Sequence, residues 1–393
     1  MPVTTRLSTL LMASALLAPG LHVNADDDTP PPSHHRPNGY QNNYIEFQPR
    51  GLLDLLKWKR DASRDELPKP PRTPIPTVAP DIGFIQANAR AGSATNPQAM
   101  QPAITWIGHA TMLAQFSGLN ILTDPVFSER VSPLSFVGPK RAVAAGLALD
   151  ALPRIDLVLI SHNHYDHLDD ASVRALARQS GGPPLFIVPL GIKAWLAERE
   201  VTNAIELDWW QSHTVATPAG PVEVVLTPVQ HWSGRGLNDQ LKTLWGGYAV
   251  FAPDLHLFFT GDTAYSKDFK DIRERFAPRQ TPEQGGGFDI ALIAVGAYEP
   301  RWFMSSQHVN PAEAVQIHLD VNAKRSVGIH WGTFELTDES LDQPPIDLAE
   351  ARRAKGVADA DFFVMAIGET RKLPKRPRLI AVKAVRGSVP RAS

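Results

Sequence analysis

The sequence predicts an α/β sandwich, in which two sheets of mixed strand direction pack together and carry helices on their outer faces. Between residues 103 and 367, short apolar segments are bounded by Gly, Pro and Asp, as β-strands usually are. Helix-like segments separate only some of these strands, so the others follow one another as hairpins. Hairpins combined with helical crossovers favour a sandwich over a purely parallel wound sheet.

The individual elements follow from hydrophobic periodicity and from the residues that interrupt it. The predicted strands are Ile104–Ile107, Thr111–Phe116, Ile121–Thr123, Leu157–Ile160, Leu185–Val188, Val222–Thr227, Tyr248–Ala252, His256–Thr260, Ile290–Val295, Ser326–Ile329 and Phe362–Ala366. The predicted helices are Ala171–Gln179, Gly191–Glu200, Phe269–Phe276, Pro311–Leu319 and Leu348–Lys355.

Length and composition exclude several classes of protein. The chain has 393 residues, of which 43% are hydrophobic and 20% are charged, so it can bury a sizeable core and is not wholly disordered. A net charge of −2 argues against a dedicated nucleic-acid binder. The chain has 13 His but no Cys, and the absence of Cys excludes thiolate metal sites, disulfides and a cysteine nucleophile. Any metal chemistry must therefore use His, Asp and Glu.

The first 25 residues are typical of a secretory signal peptide. Arg6 gives a positive start, residues 7–18 form an apolar stretch too short to span a bilayer, and Val-Asn-Ala precedes Asp26 as a cleavage site. An uncleaved N-terminal anchor is the alternative. We therefore expect an exported protein that is periplasmic or secreted.

The rest of the chain divides into a catalytic domain and two flanking regions. They are a proline-rich leader with a short amphipathic segment (26–80), a single catalytic domain (81–370) and a basic tail (371–393). In the leader, His34 and His35 are interpreted as spacer residues. The amphipathic run GLLDLLKWK (51–59) is expected to pack on the domain, with contact to a lipid surface as the alternative.

The main chemical signal is the segment SHNHYDHLD (161–169), which directly follows the apolar strand DLVLI. So many polar side chains at the end of a buried strand need a partner that compensates their desolvation. On a loop at the strand end, His162 and His164 can point to one position, whereas Asp166 and His167 reach a second. This arrangement suits two adjacent cations.

Further ligand-type residues end other predicted strands. His231 follows VEVVLTPVQ, Asp262 follows LHLFFTG and His330 follows SVGI, so a sheet that aligns these strand ends would bring them together. Imidazole and carboxylate ligands without thiolate suit Zn²⁺, while Fe and Mn remain open. With Asp262 bridging, two such ions about 3.5–4 Å apart would generate a hydroxide and stabilise displacement at an anionic phosphodiester.

The motifs around these ligands resemble a known family. The pattern HxHxDH with a later His, Asp and His is similar to the metallo-β-lactamase superfamily. The surrounding phrases resemble its N-acylphosphatidylethanolamine-hydrolysing phospholipase D family: GHAT (108–111), LTDPVFSERVSP (122–133), GPKR (138–141), LISHNHYDHLD (159–169), ELDWW (206–210), TPVQHW (227–232), LWGGY (244–248), GDTAY (261–265), GAYEPRWFM (296–304), QHVNPAEAV (307–315) and IHWGTFELT (329–337).

This resemblance implies an αβ/βα sandwich with two zinc ions per chain at one sheet edge. It implies that one zinc is held by His162, His164 and His231, and the other by Asp166, His167 and His330, with Asp262 shared. It also implies that Tyr165 and His308 contact substrate near the phosphate, and that a metal-bridging hydroxide attacks the phosphorus.

Other residues are candidates for supporting roles. Asp124 is placed to accept a proton from the free nitrogen of a ligand histidine, although a turn-capping role fits its sequence equally well. His109 is interpreted as a core residue, with support of a metal-binding residue as the alternative. His308 is a candidate to donate to a phosphate oxygen or to protonate the leaving group, with capping of the following helix as the alternative.

The segment just before His308 is a candidate substrate surface. Gln307 is counted with the substrate contacts, an acyl chain would suit Trp302, Phe303 and Met304, and Arg301 would meet a headgroup phosphate. Ordinary core packing beneath a loop is the alternative for this segment.

The leading hypothesis is a zinc-dependent phosphodiesterase of phospholipase D type that converts N-acylphosphatidylethanolamine-like lipids to phosphatidic acid and N-acylethanolamine. Its expected partners are a phospholipid substrate and, peripherally, a membrane surface. One rival is a dinuclear hydrolase acting on a lactone or a small phosphodiester. A rival of another class is a noncatalytic zinc-binding envelope protein.

Overall fold

The structure is a computed structural model that describes residues 31–93, 99–134 and 136–377. Its strands are β1 (His35–Arg36), β2 (Gly39–Tyr40), β3 (Ala103–Gly108), β4 (Thr111–Phe116), β5 (Leu119–Thr123), β6 (Leu157–Leu159), β7 (Leu185–Pro189), β8 (Ala204–Leu207), β9 (Ser212–Thr217), β10 (Gly220–Thr227), β11 (Gly247–Phe251), β12 (His256–Phe259), β13 (Ile290–Ala294), β14 (Ser326–Ile329), β15 (Phe362–Val364) and β16 (Thr370–Lys372). Its helices are α1 (Leu52–Asp65), α2 (Ile82–Ser93), α3 (Asp170–Ala177), α4 (Ile192–Ala197), α5 (Asp268–Phe276), α6 (Arg301–Met304), α7 (Pro311–Asp320) and α8 (Gln343–Lys355).

Two seven-stranded sheets form the body of the protein. The first sheet has the order β16-β3-β4-β5-β6-β7-β8 and the second has the order β15-β14-β13-β12-β11-β10-β9. In the first, pairing is antiparallel from β16 to β5 and parallel from β5 to β8. In the second, it is antiparallel from β9 to β12 and parallel from β12 to β15. The predicted α/β sandwich is confirmed, and each sheet joins hairpins to helical crossovers.

The apolar core is divided into layers because successive side chains of a strand point to opposite faces. On β4, Met112 and Ala114 belong to the cluster that also contains Tyr248 of the second sheet, whose hydroxyl donates to the carbonyl of Ile187 on β7, so these residues lie between the sheets. Leu113 faces the other way and belongs to the cluster under the helices α2, α3 and α4. The strands are therefore apolar on both faces, which leaves their ends as the places where polar groups collect.

All the predicted strands and helices lie on observed elements, with bounds that differ by a few residues. The strands β8 and β9 were not predicted. In β9, Ser212–Thr217, exposed and partly buried residues alternate along a polar sequence at the edge of its sheet, so no apolar segment marks it. The helix α2 was also not predicted; its large apolar residues, Ile82, Phe84 and Ile85, are confined to its first turn, and the rest of the helix is small or polar.

The prediction made for the leader is partly wrong, because its described residues fold against the sheets. His34 and His35, interpreted as spacer residues, each lie within hydrogen-bond distance of the carboxylate of Asp208. We call residues 33–50 the N-terminal segment. The predicted signal peptide (1–25) lies outside the described residues, as does the tail after Pro377. Among the described residues, no helix is long and apolar enough to cross a membrane.

Candidate metal centre

Seven ligand-type side chains come together where strands of both sheets end. His162, His164, Asp166 and His167 follow β6 in the first sheet, whereas His231, Asp262 and His330 follow β10, β12 and β14 in the second. Parallel strands end at one edge of a sheet, and the two sheets place these edges side by side. The seven residues assigned as ligands from the sequence are therefore brought into one cluster.

Three histidines form one part of the cluster, which we call the nitrogen half. His164 Nδ1 lies 2.8 Å from His162 Nε2 and 3.4 Å from His231 Nε2. All three side chains are buried or nearly so, and their ligand atoms form one compact group. The Nδ1 of His231 lies 2.8 Å from the backbone carbonyl oxygen of Gln307, which leaves Nε2 directed into the cluster.

The other part of the cluster, the carboxylate half, combines Asp166, His167 and His330. The Nε2 atoms of His167 and His330 are 3.2 Å apart, and Asp166 Oδ2 lies 3.4 Å from each of them. Asp262 lies against this half, with Oδ2 3.0 Å from His167 Nε2 and Oδ1 3.2 Å from His330 Nε2.

Asp262 also faces the nitrogen half, at a longer distance. Its Oδ2 is 3.9 Å from the Nε2 atoms of both His162 and His231. A carboxylate between two groups of imidazoles is the geometry of a shared ligand. Asp262 is thus the residue that joins the two halves.

The donor set fits divalent transition-metal ions. Several ring nitrogens face one another at hydrogen-bond distance, although a neutral imidazole can donate from only one of its nitrogens. In addition, Asp262 Oδ1 and His164 Nε2 are buried without a hydrogen-bond partner among the described residues. Such an arrangement is costly unless a cation occupies it. Nitrogen and oxygen donors without thiolate suit Zn²⁺, Fe or Mn.

Asp124 holds ligands of both halves in orientation. Its Oδ2 lies 2.6 Å from His167 Nδ1, and it accepts hydrogen bonds from the Ser161 backbone N–H at 2.7 Å and hydroxyl at 2.6 Å. The Ser161 hydroxyl in turn lies 2.9 Å from His162 Nδ1. Partners of this kind fix the tautomer of a metal-binding histidine. Of the two sequence interpretations, the structure places Asp124 against a ligand histidine.

The core role expected for His109 is wrong. Its Nε2 lies 3.0 Å from Asp166 Oδ2, and its ring packs against that of His330 with centroids 3.9 Å apart and planes tilted by 41°. The residue is fully buried, as expected, but its partner is a ligand of the carboxylate half rather than core backbone.

The two halves differ in electrostatics. In the nitrogen half, burial together with neighbouring histidines lowers the pKa of His164 to about 3 and that of His231 to about 4. In the carboxylate half, burial also acts to lower the pKa of His330, but Asp262 and Asp166 outweigh it and raise the pKa to about 9. The same carboxylates raise the pKa of His167 well above its usual value, against the effect of its burial.

A cavity of about 300 Å³ opens over the cluster. Tyr165, Phe303, Gln307 and His308, all assigned to substrate from the sequence, line it together with Met304. The Nδ1 atom of His308 is buried without a hydrogen-bond partner and lies 3.9 Å from Asp262 Oδ2. The lining is completed by Trp58, Val131, His164, Asp166, Trp232, Asp262, Ala297, Leu336 and Thr337.

Two substrate contacts expected from the sequence are not placed in the cavity. Trp302 is not among its lining residues, and its ring lies at the surface with Lys57 Nζ 3.9 Å from the ring centroid. The short helix α6 directs Phe303 and Met304 inward instead. The guanidinium of Arg301 is engaged in hydrogen bonds within the protein: it donates to Glu313 Oε2 at 2.8 Å and to the His308 carbonyl at 2.9 Å.

Sequence reasoning missed the contribution of the N-terminal segment. The amide of Asn42 holds the backbone of His231 from both sides: Nδ2 donates to its carbonyl at 2.9 Å, and Oδ1 accepts from its N–H at 3.0 Å. Phe47 stacks on Trp232 at 5.1 Å, and Ile45 accepts a hydrogen bond from Gln230 at 2.9 Å. No sequence signal links this segment to residues 230–232.

Arg235 is a second residue that the sequence did not indicate. It donates to the carbonyl oxygens of Asn163 at 2.8 Å and Leu168 at 2.7 Å, and so braces the loop that carries four ligands. Its guanidinium also lies 3.8 Å from the ring centroid of Tyr165.

Comparison with known proteins agrees with this geometry. The beta-lactamase superfamily domain family matches residues 119–331. The chain is 39% identical over 273 residues to N-acyl-phosphatidylethanolamine-hydrolyzing phospholipase D 1 of Caenorhabditis elegans. The aligned region covers 67% of this chain and 74% of that protein. It is 37% identical to the mitochondrial enzyme of that name from Saccharomyces cerevisiae, over 61% of this chain and 49% of that protein. The fold matches a possible metal-dependent hydrolase from Veillonella parvula with a TM-score of 0.54 and 17% identity, over 70% of this chain and 100% of the other.

Proposed function

Because this chain belongs to the N-acylphosphatidylethanolamine-hydrolysing phospholipase D family of the metallo-β-lactamase superfamily, we propose that it is a zinc-dependent phosphodiesterase of phospholipase D type. Its substrates would be N-acylphosphatidylethanolamine-like phospholipids, and its products phosphatidic acid and an N-acylethanolamine. The coarser activity, metal-dependent hydrolysis, follows from membership of this family.

One observation supports this proposal above the others: two groups of metal ligands joined by Asp262 lie at the base of a partly apolar cavity. Two zinc ions bound there would supply an activated water and positive charge for the phosphodiester. His308 faces the same space with a free ring nitrogen, which suits a hydrogen bond to a phosphate oxygen. Tyr165 lines the cavity on the side of the first sheet.

The walls of the cavity suit an acyl chain. Trp58, Trp232, Phe303 and Met304 line it with apolar surface, and Trp58 packs on Phe303 with ring centroids 4.7 Å apart. A lipid tail would bury apolar area against these side chains, at roughly 25 cal/mol per Å². The phosphate would then lie toward the metal ligands and the acyl chain toward the helix α1.

Contact with a membrane surface is part of the proposal. On α1, Trp58 is buried in the cavity wall, but Leu52 is 71% and Leu53 81% exposed. Lys57 and Lys59 lie on the same helix, and basic side chains add about 1 kcal/mol each near an anionic surface. The sequence expectation that this segment packs on the domain thus holds for only one face of the helix. Export, predicted from residues 1–25, would bring the enzyme to envelope lipids.

The test is a substrate panel assayed with the purified, zinc-loaded chain. It includes N-acylphosphatidylethanolamine vesicles, a sugar lactone and a bis-aryl phosphate, with products identified by mass spectrometry. We expect phosphatidic acid and N-acylethanolamine as the main products. A preference for the lactone or the small phosphodiester would replace the lipid assignment. Binding of zinc without hydrolysis of any substrate would instead support a noncatalytic zinc-binding protein.

A further inference from the structure

We propose that His34, His35 and Asp208 form a separate site for a divalent transition metal, which fastens the N-terminal segment to the body of the protein. We call these three residues the anchor cluster. This inference is independent of the proposed function, because none of the three residues belongs to the metal centre or to the cavity above it.

The possible ligand atoms of the anchor cluster lie close together. His34 Nε2 lies 2.6 Å from Asp208 Oδ1, and His35 Nε2 lies 2.8 Å from Asp208 Oδ2. The three residues offer ligand atoms that all lie within 4.8 Å of one another. Two imidazoles and a carboxylate are the donor types found in the metal centre of the same chain, and they suit zinc in particular.

The surroundings hold these side chains in place before any ion binds. His34 is 6% and Asp208 7% exposed, and the ring of His34 stacks on Trp209 at 4.4 Å between centroids. The backbone N–H of Trp209 donates to Asp208 Oδ1 at 2.7 Å and so fixes the carboxylate. Preorganised ligands lose little conformational freedom when a metal binds, which raises its affinity.

The open side of the cluster fits the remaining coordination position. The side chain of His35 is 29% exposed, so solvent reaches the group from that side. Zinc with three protein ligands takes a water as its fourth ligand. Two neutral imidazoles and one carboxylate would leave the bound site with a single positive charge, which solvent on this side can screen.

An ion in this position would have a structural consequence for the metal centre. The cluster joins residues 174 positions apart in the sequence, and a bond that closes so long a loop removes much entropy from the unfolded chain. A few residues further on, Asn42 holds the backbone of His231. The anchor ion would thus fix the segment that holds one ligand of the nitrogen half.

The experiment counts zinc ions on the intact chain by native mass spectrometry, after metal removal and reloading with zinc. We expect Asp208→Asn to bind one zinc fewer than the wild type, because the amide keeps the size of the side chain but is a poor metal ligand. The double variant His34→Ala/His35→Ala is expected to lose the same single zinc. His213→Ala is the matched control, since His213 lies on β9 and in none of the ligand groups found among the described residues.

A second pair of variants separates this site from the metal centre. Asp262→Asn weakens the metal centre, and addition of Asp208→Asn to it is expected to remove one further zinc. Circular dichroism of each variant is used to check that the fold is retained. Equal zinc counts for the wild type, Asp208→Asn and the double histidine variant would overturn the proposal and would mean that the cluster is held by hydrogen bonds alone.

Discussion

The nitrogen half and the carboxylate half of the metal centre use the same imidazole ligands in opposite electrostatic environments. Around His162, His164 and His231, burial and neighbouring imidazoles keep the rings neutral, with pKa values lowered to about 3 for His164 and about 4 for His231. Around His330, the carboxylates of Asp262 and Asp166 outweigh burial and raise the pKa to about 9. The protonated imidazolium form is therefore favoured in the carboxylate half only.

The difference shows how one cluster of side chains can form two metal-binding positions with different electrostatic properties. Neutral nitrogens offer lone pairs to a cation at once, whereas the carboxylate half supplies negative charge but must first release protons. The partners of the rings differ in the same way, since the ring of His167 has the carboxylate of Asp124 behind it and the ring of His231 has the backbone carbonyl of Gln307. Each of the following changes acts on one half or on both.

The largest effect is expected for Asp262→Asn, because this carboxylate is common to both halves. Loss of a ligand should exceed the roughly 10–100-fold effects of removing a supporting residue, so we expect activity to fall by more than about 100-fold. Zinc content, measured by elemental analysis, should fall in parallel. Asp359→Asn, at a side chain that is 85% exposed, is the control. Near-normal turnover in Asp262→Asn would show that this residue does not join the halves.

A smaller effect is expected for Asp124→Asn. The amide keeps the bond to Ser161 but weakens the hold on His167, so zinc affinity should fall by about 10–100-fold in the carboxylate half. The nitrogen half feels the change only through Ser161 and His162, and should lose less. Competition with a chelator resolves the two binding steps. A larger loss at the step that fills the nitrogen half would reverse the assignment of Asp124.

Asn42→Ala tests the nitrogen half from its backbone side. The change leaves the N–H and carbonyl of His231 without partners, which costs about 1–3 kcal/mol when such groups are buried. Chemical denaturation of the zinc-free chain should show this loss. The neighbouring Asn43→Ala is the matched control, since Asn43 bonds Asp268 rather than a ligand. Equal losses in both variants would mean that the segment acts only through general packing.

The smallest effect is a release of protons when zinc binds to the metal-free chain. At pH 8, a group with a pKa raised to about 9 is mostly protonated, and the pKa of His167 is also raised well above its usual value, so filling the carboxylate half should displace about one proton each from His330 and His167. Groups in the nitrogen half, with pKa values near 3 and 4, release none at this pH. Zinc affinity of the carboxylate half should therefore rise with pH up to about 9. Titration in weakly buffered solution measures the release, and its absence at both steps would contradict the comparison.

The sequence predicted the fold and the ligand cluster because both depend on local patterns. Apolar strands separated by turns locate the ends of the sheets, and HxHxDH at one such end places His162 through His167. The support around the cluster depends on contacts between distant parts of the chain. Asn42 and His231 are 189 positions apart, and the partner of His109 is 57 positions away, so neither pair forms a pattern.

The helix α6 shows a different reason why a prediction from the sequence failed. Four residues make too short a helix for a hydrophobic period to appear, so Trp302 and Phe303 were equally plausible as cavity residues. Tertiary packing decides between them, since Phe303 meets Trp58 whereas Trp302 lies under Lys57 at the surface.

Because the metal ligands come from both sheets, metal binding is coupled to folding. His162 and His167 come from the first sheet, and His231 and His330 from the second, so a bound ion joins the two layers at their common edge. An ion that binds only the folded chain adds about 1.4 kcal/mol of stability for each tenfold rise in its free concentration above the dissociation constant. The melting temperature of this protein should thus rise with the free concentration of the metal ion that it binds.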